Sequence, residues 1–186
     1  MTNYSVVKKI EKIVKDDDII IFFGSRLSKV AYNFDKDNYI YINNDAINLS
    51  FLVGLLYTVN KRIFVFCEDD FIIPHFNSFI EIRKYFPKNF YIFIIKNTTV
   101  KNVFGSINHP QGSFFNLGFK SFKVTKYFRS VEDCLKLKSF IDSNRDRSTF
   151  LIEIDSDVFD KYTIEIPKSY SIKKKLNKCV EESIKK

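Results

Sequence analysis

Short, continuously apolar runs recur along this chain, and they constrain its fold more than any other feature. Three clear examples are IIIFF at residues 19–23, IFVF at 63–66 and YIFII at 91–95. Apolar runs of this length without alternation are typical of strands that are covered on both faces. Helix-like segments lie between them, and such alternation indicates parallel connections. The pattern predicts an α/β fold: a doubly wound, mainly parallel sheet with helices on both faces.

The alternation extends over most of the chain. The predicted strands are residues 18–23, 38–42, 62–67, 90–96, 122–127 and 149–155, and the predicted helices are residues 5–15, 26–34, 45–59, 74–85 and 130–142. Beyond residue 155, the sequence predicts a short added strand at 162–166 and an amphipathic helix at 171–185. We therefore divide the chain into an α/β domain (1–160) and a basic C-terminal extension (161–186), whose helix we expect to pack on its own domain or on a partner subunit.

Composition narrows the class of protein further. The chain has 186 residues with 45% hydrophobic content, which is enough for one ordinary domain. It contains no run of about 18 apolar residues, and its first fifteen residues are polar and charged, so we expect a cytoplasmic protein without a membrane span. Its three cysteines are far apart and indicate neither a disulfide framework nor a zinc site. The net charge of +8 comes largely from the tail, which disfavours nucleic-acid binding.

Polar residues follow several of the predicted strands. Gly24 follows the first strand, the run from Glu68 through Asp69 to Asp70 follows the third, and Lys96 with Asn97 follows the next. In parallel α/β sheets, ligands bind outside the carboxyl ends of the strands. Carboxylate and amide oxygens such as those of Asp69 and Asn97 are ligands that a hard cation prefers. Alternatively, the three carboxylates form a charged turn that caps the helix beginning near Pro74.

The stretch from residue 43 to residue 99 resembles the cofactor-binding segment of thiamine diphosphate enzymes. In that family Gly-Asp-Gly follows one strand and Asn-Asn follows the next. The resemblance implies that Asp69, Asn97 and the carbonyl of Thr99 hold a Mg²⁺ ion that bridges the two phosphates of thiamine diphosphate. It also implies that Gly24, Asn44 and Lys96 lie near the diphosphate or the thiazolium, and that Glu68 and Asp70, which flank Asp69, belong to the cofactor-binding residues. The resemblance covers residues 5–155, and in length and order the chain is similar to the short cofactor-binding subunit of sulfopyruvate and phosphonopyruvate decarboxylases.

The chain departs from the family pattern at three motif positions. Its residues there are Glu68-Asp69-Asp70 for Gly-Asp-Gly, Lys96-Asn97 for Asn-Asn, and Asn44-Asp45-Ala46 for Ser-Met-Gly. Glycine lets a backbone approach phosphate closely, whereas Glu68 adds bulk and a like charge beside a diphosphate. Lys96 is a candidate to compensate, either by pairing with Glu68 or by reaching a phosphate oxygen.

Two functions follow from these observations. The resemblance implies a cofactor-binding subunit of a 2-oxoacid decarboxylase that acts on a small anionic substrate. The glutamate that activates the cofactor belongs, in this family, to a separate pyrimidine-binding domain, so the chain would need a pyrimidine-domain partner subunit or assemble as an oligomer. The alternative is a non-catalytic scaffold or regulatory protein that keeps the fold but has lost cofactor binding.

Overall fold

A computed structural model describes residues 2–34, 36–42, 50–68, 90–97, 124–128, 133–143 and 150–156, together with Lys175, Asn177, Lys178, Val180 and Glu181. The elements in chain order are α1 (Asn3–Ile10), β1 (Ile19–Phe23), α2 (Ser25–Tyr32), β2 (Tyr39–Ile42), α3 (Ser50–Thr58), β3 (Ile63–Glu68), β4 (Phe90–Asn97), β5 (Val124–Phe128), α4 (Asp133–Ser143) and β6 (Phe150–Ser156).

The strands form a six-stranded sheet in the order β2-β1-β3-β4-β6-β5, and every neighbouring pair is parallel. The predicted fold class is therefore confirmed, and the six strands predicted between residues 18 and 155 lie within two residues of their observed bounds. Because β1 lies between β2 and β3, the chain moves to one side of β1 first and to the other side next. The position between β1 and β3 is thus a topological switch point, where ligands bind in open α/β sheets.

Aliphatic and aromatic side chains are segregated on the two faces of the sheet. One face carries mainly Ile and Val, and the other carries mainly Phe and Tyr. On the aromatic face, rings in register across four strands stack in a row: Tyr41 with Phe22 at 5.8 Å, Phe22 with Phe66 at 5.3 Å, and Phe66 with Phe93 at 4.4 Å between centroids. Offset aromatic pairs add to the stabilisation that burial alone provides. The row of rings therefore packs β2, β1, β3 and β4 against one another.

Helices cover both faces, as a doubly wound fold requires. Helix α3 packs on the aliphatic face through Leu52, Leu55 and Val59, whereas α1, α2 and α4 pack on the aromatic face. None of the helices in the described ranges is long and apolar enough to cross a lipid bilayer. The predicted helix 74–85 and the predicted strand 162–166 lie outside these ranges.

Helix α1 is shorter than predicted, because it ends at Ile10 and not at Lys15. The chain turns after Ile10, and the Lys15 N–H donates to the carboxylate of Asp18 over 2.6 Å. This hydrogen bond closes the turn that leads into β1. Val6, Val7 and Ile10 are buried, as the apolar periodicity predicts.

The described residues of the C-terminal segment contact the α/β domain. Val180 packs against the aliphatic cluster of the sheet. Lys175 Nζ donates to the backbone carbonyl of Lys36 over 3.1 Å, and Lys178 Nζ forms an ion pair with Asp37 at 2.6 Å. The segment thus packs on its own domain near the beginning of β2, in keeping with one of the two placements expected from the sequence.

The Lys178 contact makes a prediction for the pKa of Asp37. The hydrogen bond and charge of Lys178, with a smaller contribution from Lys175, hold this pKa below its usual range. The Lys178→Ala variant should therefore raise the pKa of Asp37 toward 3.8, which a carboxyl-carbon NMR titration would measure. Because the pKa is lowered in the fold, the attraction is complete above the ordinary pKa and is lost as pH falls through the folded-state value. An unchanged Asp37 titration in the variant would contradict the ion pair.

Candidate functional site

Gly24 and Glu68 meet at the switch point. Gly24 directly follows β1, and Glu68 is the last residue of β3. Phe23 and Cys67 are partners in the parallel register, so the next residues along the two strands, Gly24 and Glu68, lie side by side. The sheet topology therefore brings together two of the residues that the sequence singled out.

The backbone at Gly24 has a conformation that favours glycine. Its φ is +102° and its ψ is 142°, and side-chain-bearing residues rarely adopt such angles. Its N–H donates to the carbonyl of Ile42 over 3.1 Å, which holds the turn against β2. A Cβ atom added to Gly24 would stand 2.8 Å from Oε2 of Glu68 and 3.3 Å from its Cδ. The missing side chain of Gly24 is therefore what makes room for the carboxylate.

Glu68 is a buried acid at the amino end of a helix. Only 3% of it is exposed. Gly24 is the N-cap residue of α2 and supplies no side-chain hydrogen bond to that helix. A carboxylate beside the first turn interacts favourably with the helix dipole. The Glu68 carboxylate thus lies beside the turn between β1 and α2.

Helix α2 is fixed in place by a buried hydrogen bond from its second turn. The Ser28 hydroxyl donates to the carbonyl of Phe22 over 3.1 Å. Leu27, Val30 and Ala31 pack on the aromatic face of the sheet. The amino end of α2 is therefore held over the carboxyl end of β1. Sequence analysis did not identify Ser28, because a serine in a helix carries no sign of the strand that it contacts.

The structure also places the backbone of Lys96 and Asn97 at this end of the sheet. Both are at the carboxyl end of β4, which neighbours β3, and Glu68 pairs with Ile95 in the register. Lys96 and Asn97 pair in turn with Asp155 and Ser156 of β6. The ends of β1, β3 and β4 thus line one edge, as the sequence predicted.

The side chains of the other predicted site residues are not among the parts of the chain that the structure describes. Asn44, Asp69, Asp70 and Thr99 lie outside the described residues, as do the side chains of Lys96 and Asn97. Their predicted roles, and the predicted pairing of Lys96 with Glu68, remain predictions. Within the described ranges, no cluster of three or more His, Cys, Asp or Glu residues is arranged to hold a metal ion.

A cleft of about 370 Å³ lies at the opposite end of the sheet, beside the amino ends of β1 and β2. Its lining residues are Asp16, Asp18, Ile19, Lys36, Asp37, Asn38, Lys61 and Lys178. Several of these charges are paired within the chain: Lys36 with Glu11, Lys178 with Asp37, and Asp18 with Arg62. This pairing suits a structural role, so the candidate site is the edge at Gly24 and Glu68.

Comparisons with known proteins bear on the fold. No protein-family model matches the chain, and no curated protein matches its sequence. Among solved structures, it is similar to a protein from Mycobacterium smegmatis that is described as a thiamin diphosphate-dependent enzyme. The TM-score is 0.65 at 10% sequence identity, over 86% of this chain and 32% of that one. The chain therefore spans about a third of the length of that enzyme and shares the α/β fold of that part of it.

Proposed function

We propose that this chain is the cofactor-binding subunit of a thiamine diphosphate-dependent 2-oxoacid decarboxylase of the phosphonopyruvate or sulfopyruvate type. The observation that carries the proposal is the meeting of Gly24 and Glu68 at the switch point of a fold shared with a thiamin diphosphate-dependent enzyme. This is the edge at which such folds bind ligands, and the sequence places its metal-ligand candidates immediately beyond it.

The Glu68 carboxylate lies against Gly24 at the end of β1. Because the resemblance puts Gly24 near the diphosphate or the thiazolium, the charge of Glu68 would lie near the phosphates and repel them. In this proposal Mg²⁺ offsets part of this repulsion, and Lys96 compensates for the rest by pairing with Glu68 or by reaching a phosphate oxygen.

The donor set also suits the proposed metal. A carboxylate from Asp69, an amide oxygen from Asn97 and a carbonyl oxygen from Thr99 are oxygen ligands of the kind that Mg²⁺ takes. In this proposal Asn44 and Asp70 lie beside the cofactor, and Lys96 offsets the negative charge of the edge. When bound, thiamine diphosphate supplies the electron sink for decarboxylation. This chain holds and orients it, and the net charge of +8 suits an anionic substrate.

A partner is part of the proposal. The chain matches about a third of the solved enzyme, and the family resemblance puts the activating glutamate in a separate pyrimidine-binding domain. The second half would come from a pyrimidine-domain subunit that contributes the activating glutamate, with the cofactor between the two chains.

A second candidate function is favoured by the burial of Glu68. A carboxylate that is 3% exposed and packed against Gly24 serves the structure of the edge itself. A non-catalytic scaffold would keep this contact and use the same edge as a protein surface. It would need neither Mg²⁺ nor a cofactor.

Calorimetric titration with thiamine diphosphate separates the two functions. The enzyme subunit should bind thiamine diphosphate only when Mg²⁺ is present, and Asp69→Ala should weaken this binding by at least about tenfold. Replacing a residue that only supports a metal ligand usually weakens metal binding by about tenfold or more, and Asp69 is proposed as a ligand itself. The titration should be run on the purified chain and on the chain with any partner that co-purifies.

The matched control is Asp16→Ala, which removes an exposed acid beside the amino ends of the strands. It should bind as the parent does. Mg²⁺-dependent binding that Asp69→Ala abolishes and Asp16→Ala preserves would support the enzyme subunit and justify assays of 2-oxoacid decarboxylation. Absence of binding by the parent chain in both settings would overturn the enzyme subunit and favour the scaffold.

A further inference from the structure

The amino ends of α1 and α2 are capped differently. Thr2 is the N-cap residue of α1, with φ −80° and ψ 154°, and its side chain accepts from the Ser5 N–H over 3.3 Å. Gly24 is the N-cap residue of α2 and has no side chain that could do the same. Because the first N–H groups of any α-helix have no acceptor within the helix, those of α2 depend on water, on a ligand or on another part of the chain.

The missing side chain of Gly24 would point toward the first turn of α2. The ψ of Gly24 is 142°, close to the 154° of Thr2. The direction of a Cβ atom relative to the residues that follow depends on ψ alone, whereas φ changes its relation to the residues that precede. A side chain on Gly24 would therefore stand before α2 as that of Thr2 stands before α1.

The Glu68 carboxylate occupies the place of this missing side chain. Its Oε2 lies 2.8 Å from the position of a Cβ on Gly24, whereas Cδ and Cγ are farther away, at 3.3 and 3.5 Å. Glu68 is only 3% exposed, and the first turn of α2 contains no acidic residue of its own. Carboxylate oxygens are good N-cap acceptors, and a negative charge at the amino end of a helix is favourable. Glu68 is therefore placed to supply, from β3, the acceptor and the charge that Gly24 lacks.

An external anion would bind at the same place. In open α/β folds, phosphate groups bind at the amino end of a helix that follows a strand at the switch point, and α2 follows β1 there. Two anions this close repel each other strongly at a buried position such as that of Glu68. The Glu68 carboxylate and a phosphate are thus alternatives at the amino end of α2.

We propose that Glu68 is an internal substitute for an anionic ligand: its carboxylate caps α2 from β3 and thereby excludes phosphate groups from the amino end of that helix. The anionic part of any ligand of this edge is then held by other groups. The inference does not rest on the proposed function. Where the two meet, it assigns the diphosphate to the metal and not to the N–H groups of α2.

Amide hydrogen exchange, followed by NMR, tests the cap in the full chain. In Glu68→Ala, the amides of residues 25–27 should exchange at least about fivefold faster than in the parent, because the loss of an N-cap acceptor usually weakens a helix end by about that factor. The amides of β1 should remain as slow as in the parent. Glu11→Ala is the matched control, since it removes a partly exposed glutamate at the carboxyl end of α1, and it should leave the amides of residues 25–27 unchanged.

Titration with inorganic phosphate at constant ionic strength tests the exclusion. The amide resonances of residues 25–27 should shift and saturate in Glu68→Ala, and should stay in place in the parent and in Glu11→Ala. An equal shift in the parent, or no shift in Glu68→Ala, would overturn the exclusion of phosphate. Unchanged hydrogen exchange in Glu68→Ala would overturn the cap.

Faster exchange of β1 in Glu68→Ala would indicate that the sheet itself has loosened. Glu68→Gln would then be measured, because it keeps the shape of the side chain and removes its charge. The amides of residues 25–27 should still exchange faster than in the parent while those of β1 do not, and exchange no faster than in the parent would overturn the proposal. None of these measurements uses thiamine diphosphate, so their failure is separate from a failure of the proposed function.

Discussion

Replacing Arg62 with alanine should lower the free energy of unfolding by about 3–5 kcal/mol, the usual cost of leaving one member of a buried ion pair without the other. Arg62 Nε donates to Oδ1 of Asp18 over 2.7 Å, and its Nη2 donates to Oδ2 over 2.6 Å. The Asp18 side chain is only 4% exposed and that of Arg62 is 12% exposed. The alanine variant therefore leaves the buried Asp18 carboxylate without its guanidinium partner.

The position of this pair enlarges its effect. Asp18 immediately precedes β1 and Arg62 immediately precedes β3, so the pair links the beginnings of two central strands. The same Asp18 carboxylate accepts from the Lys15 N–H, and its backbone carbonyl accepts from Asn38 over 2.8 Å, in the turn before β2. The guanidinium also lies over the Phe64 ring, 5.3 Å from its centroid. The pair thus links the starts of β1 and β3, Asp18 extends the link to the turn before β2, and Arg62 packs on the aromatic face.

Chemical denaturation would measure this loss, with two further variants for comparison. Arg62→Lys keeps the charge but not the two-pronged geometry, so it should recover only part of the stability. Asp16→Ala removes an exposed acid two residues from Asp18 and should change the free energy of unfolding by no more than about 0.5 kcal/mol. If Arg62→Ala lowered the free energy of unfolding by less than about 1 kcal/mol, the Asp18–Arg62 pair would be no stronger than an ordinary surface ion pair. That result would contradict its interpretation as a buried, stabilising pair.

The fold class was predictable because the strands carry their signal locally. A strand that is buried on both faces is expected to be apolar along its length. All of β1 and residues 63–67 of β3 meet this expectation. The order of the strands was not predictable in the same way. The sequence does not encode, in any local pattern, that β6 lies between β4 and β5, because this order depends on pairing between distant segments.

The candidate site shows the same division between local and distant information. The sequence located Gly24 and Glu68 at the ends of strands, since an apolar run that stops is visible locally. The structure places the Glu68 carboxylate against Gly24, a contact that the sequence did not predict, whereas the two expectations for Lys96, pairing with Glu68 or reaching a phosphate oxygen, remain predictions. The contact with Gly24 depends on the register of β1 against β3, a property of two segments more than forty residues apart in the chain. The roles of Asn44, Asp69, Asp70 and Thr99 remain predictions from the family resemblance.

Replacing Gly24 with alanine should lower the free energy of unfolding by about 2–4 kcal/mol, for two separable reasons. A residue other than glycine at φ +102° is strained, which costs about 1–3 kcal/mol. In addition, the new methyl group would stand 2.8 Å from Oε2 of Glu68, closer than such atoms approach, so the carboxylate must move. Chemical denaturation would measure the sum of both effects.

A double-mutant cycle separates the crowding from the backbone strain. In the Glu68→Ala background the methyl group no longer meets a carboxylate, so Gly24→Ala should cost less there than in the parent, by more than the roughly 0.5 kcal/mol within which independent sites add. Gly54→Ala is the matched control, because a Cβ at Gly54 in α3 meets nothing within 4 Å. It should stabilise the chain by about 0.4–1 kcal/mol, which is the usual gain from a compatible glycine-to-alanine change. Equal costs of Gly24→Ala in the two backgrounds would contradict the contact with Glu68.

The same cycle tests whether this contact matters for the proposed cofactor. If Gly24 lets Glu68 turn its charge toward α2, the alanine variant forces that charge out of its place at the switch point. Mg²⁺-dependent binding of thiamine diphosphate should then weaken in Gly24→Ala and recover in the double variant with Glu68→Ala, although both variants keep the strained backbone. Binding that stays weak in the double variant would assign the effect to the backbone of Gly24 and not to the carboxylate. The recovery is therefore the result that would connect the packing of one glycine to the chemistry of the edge.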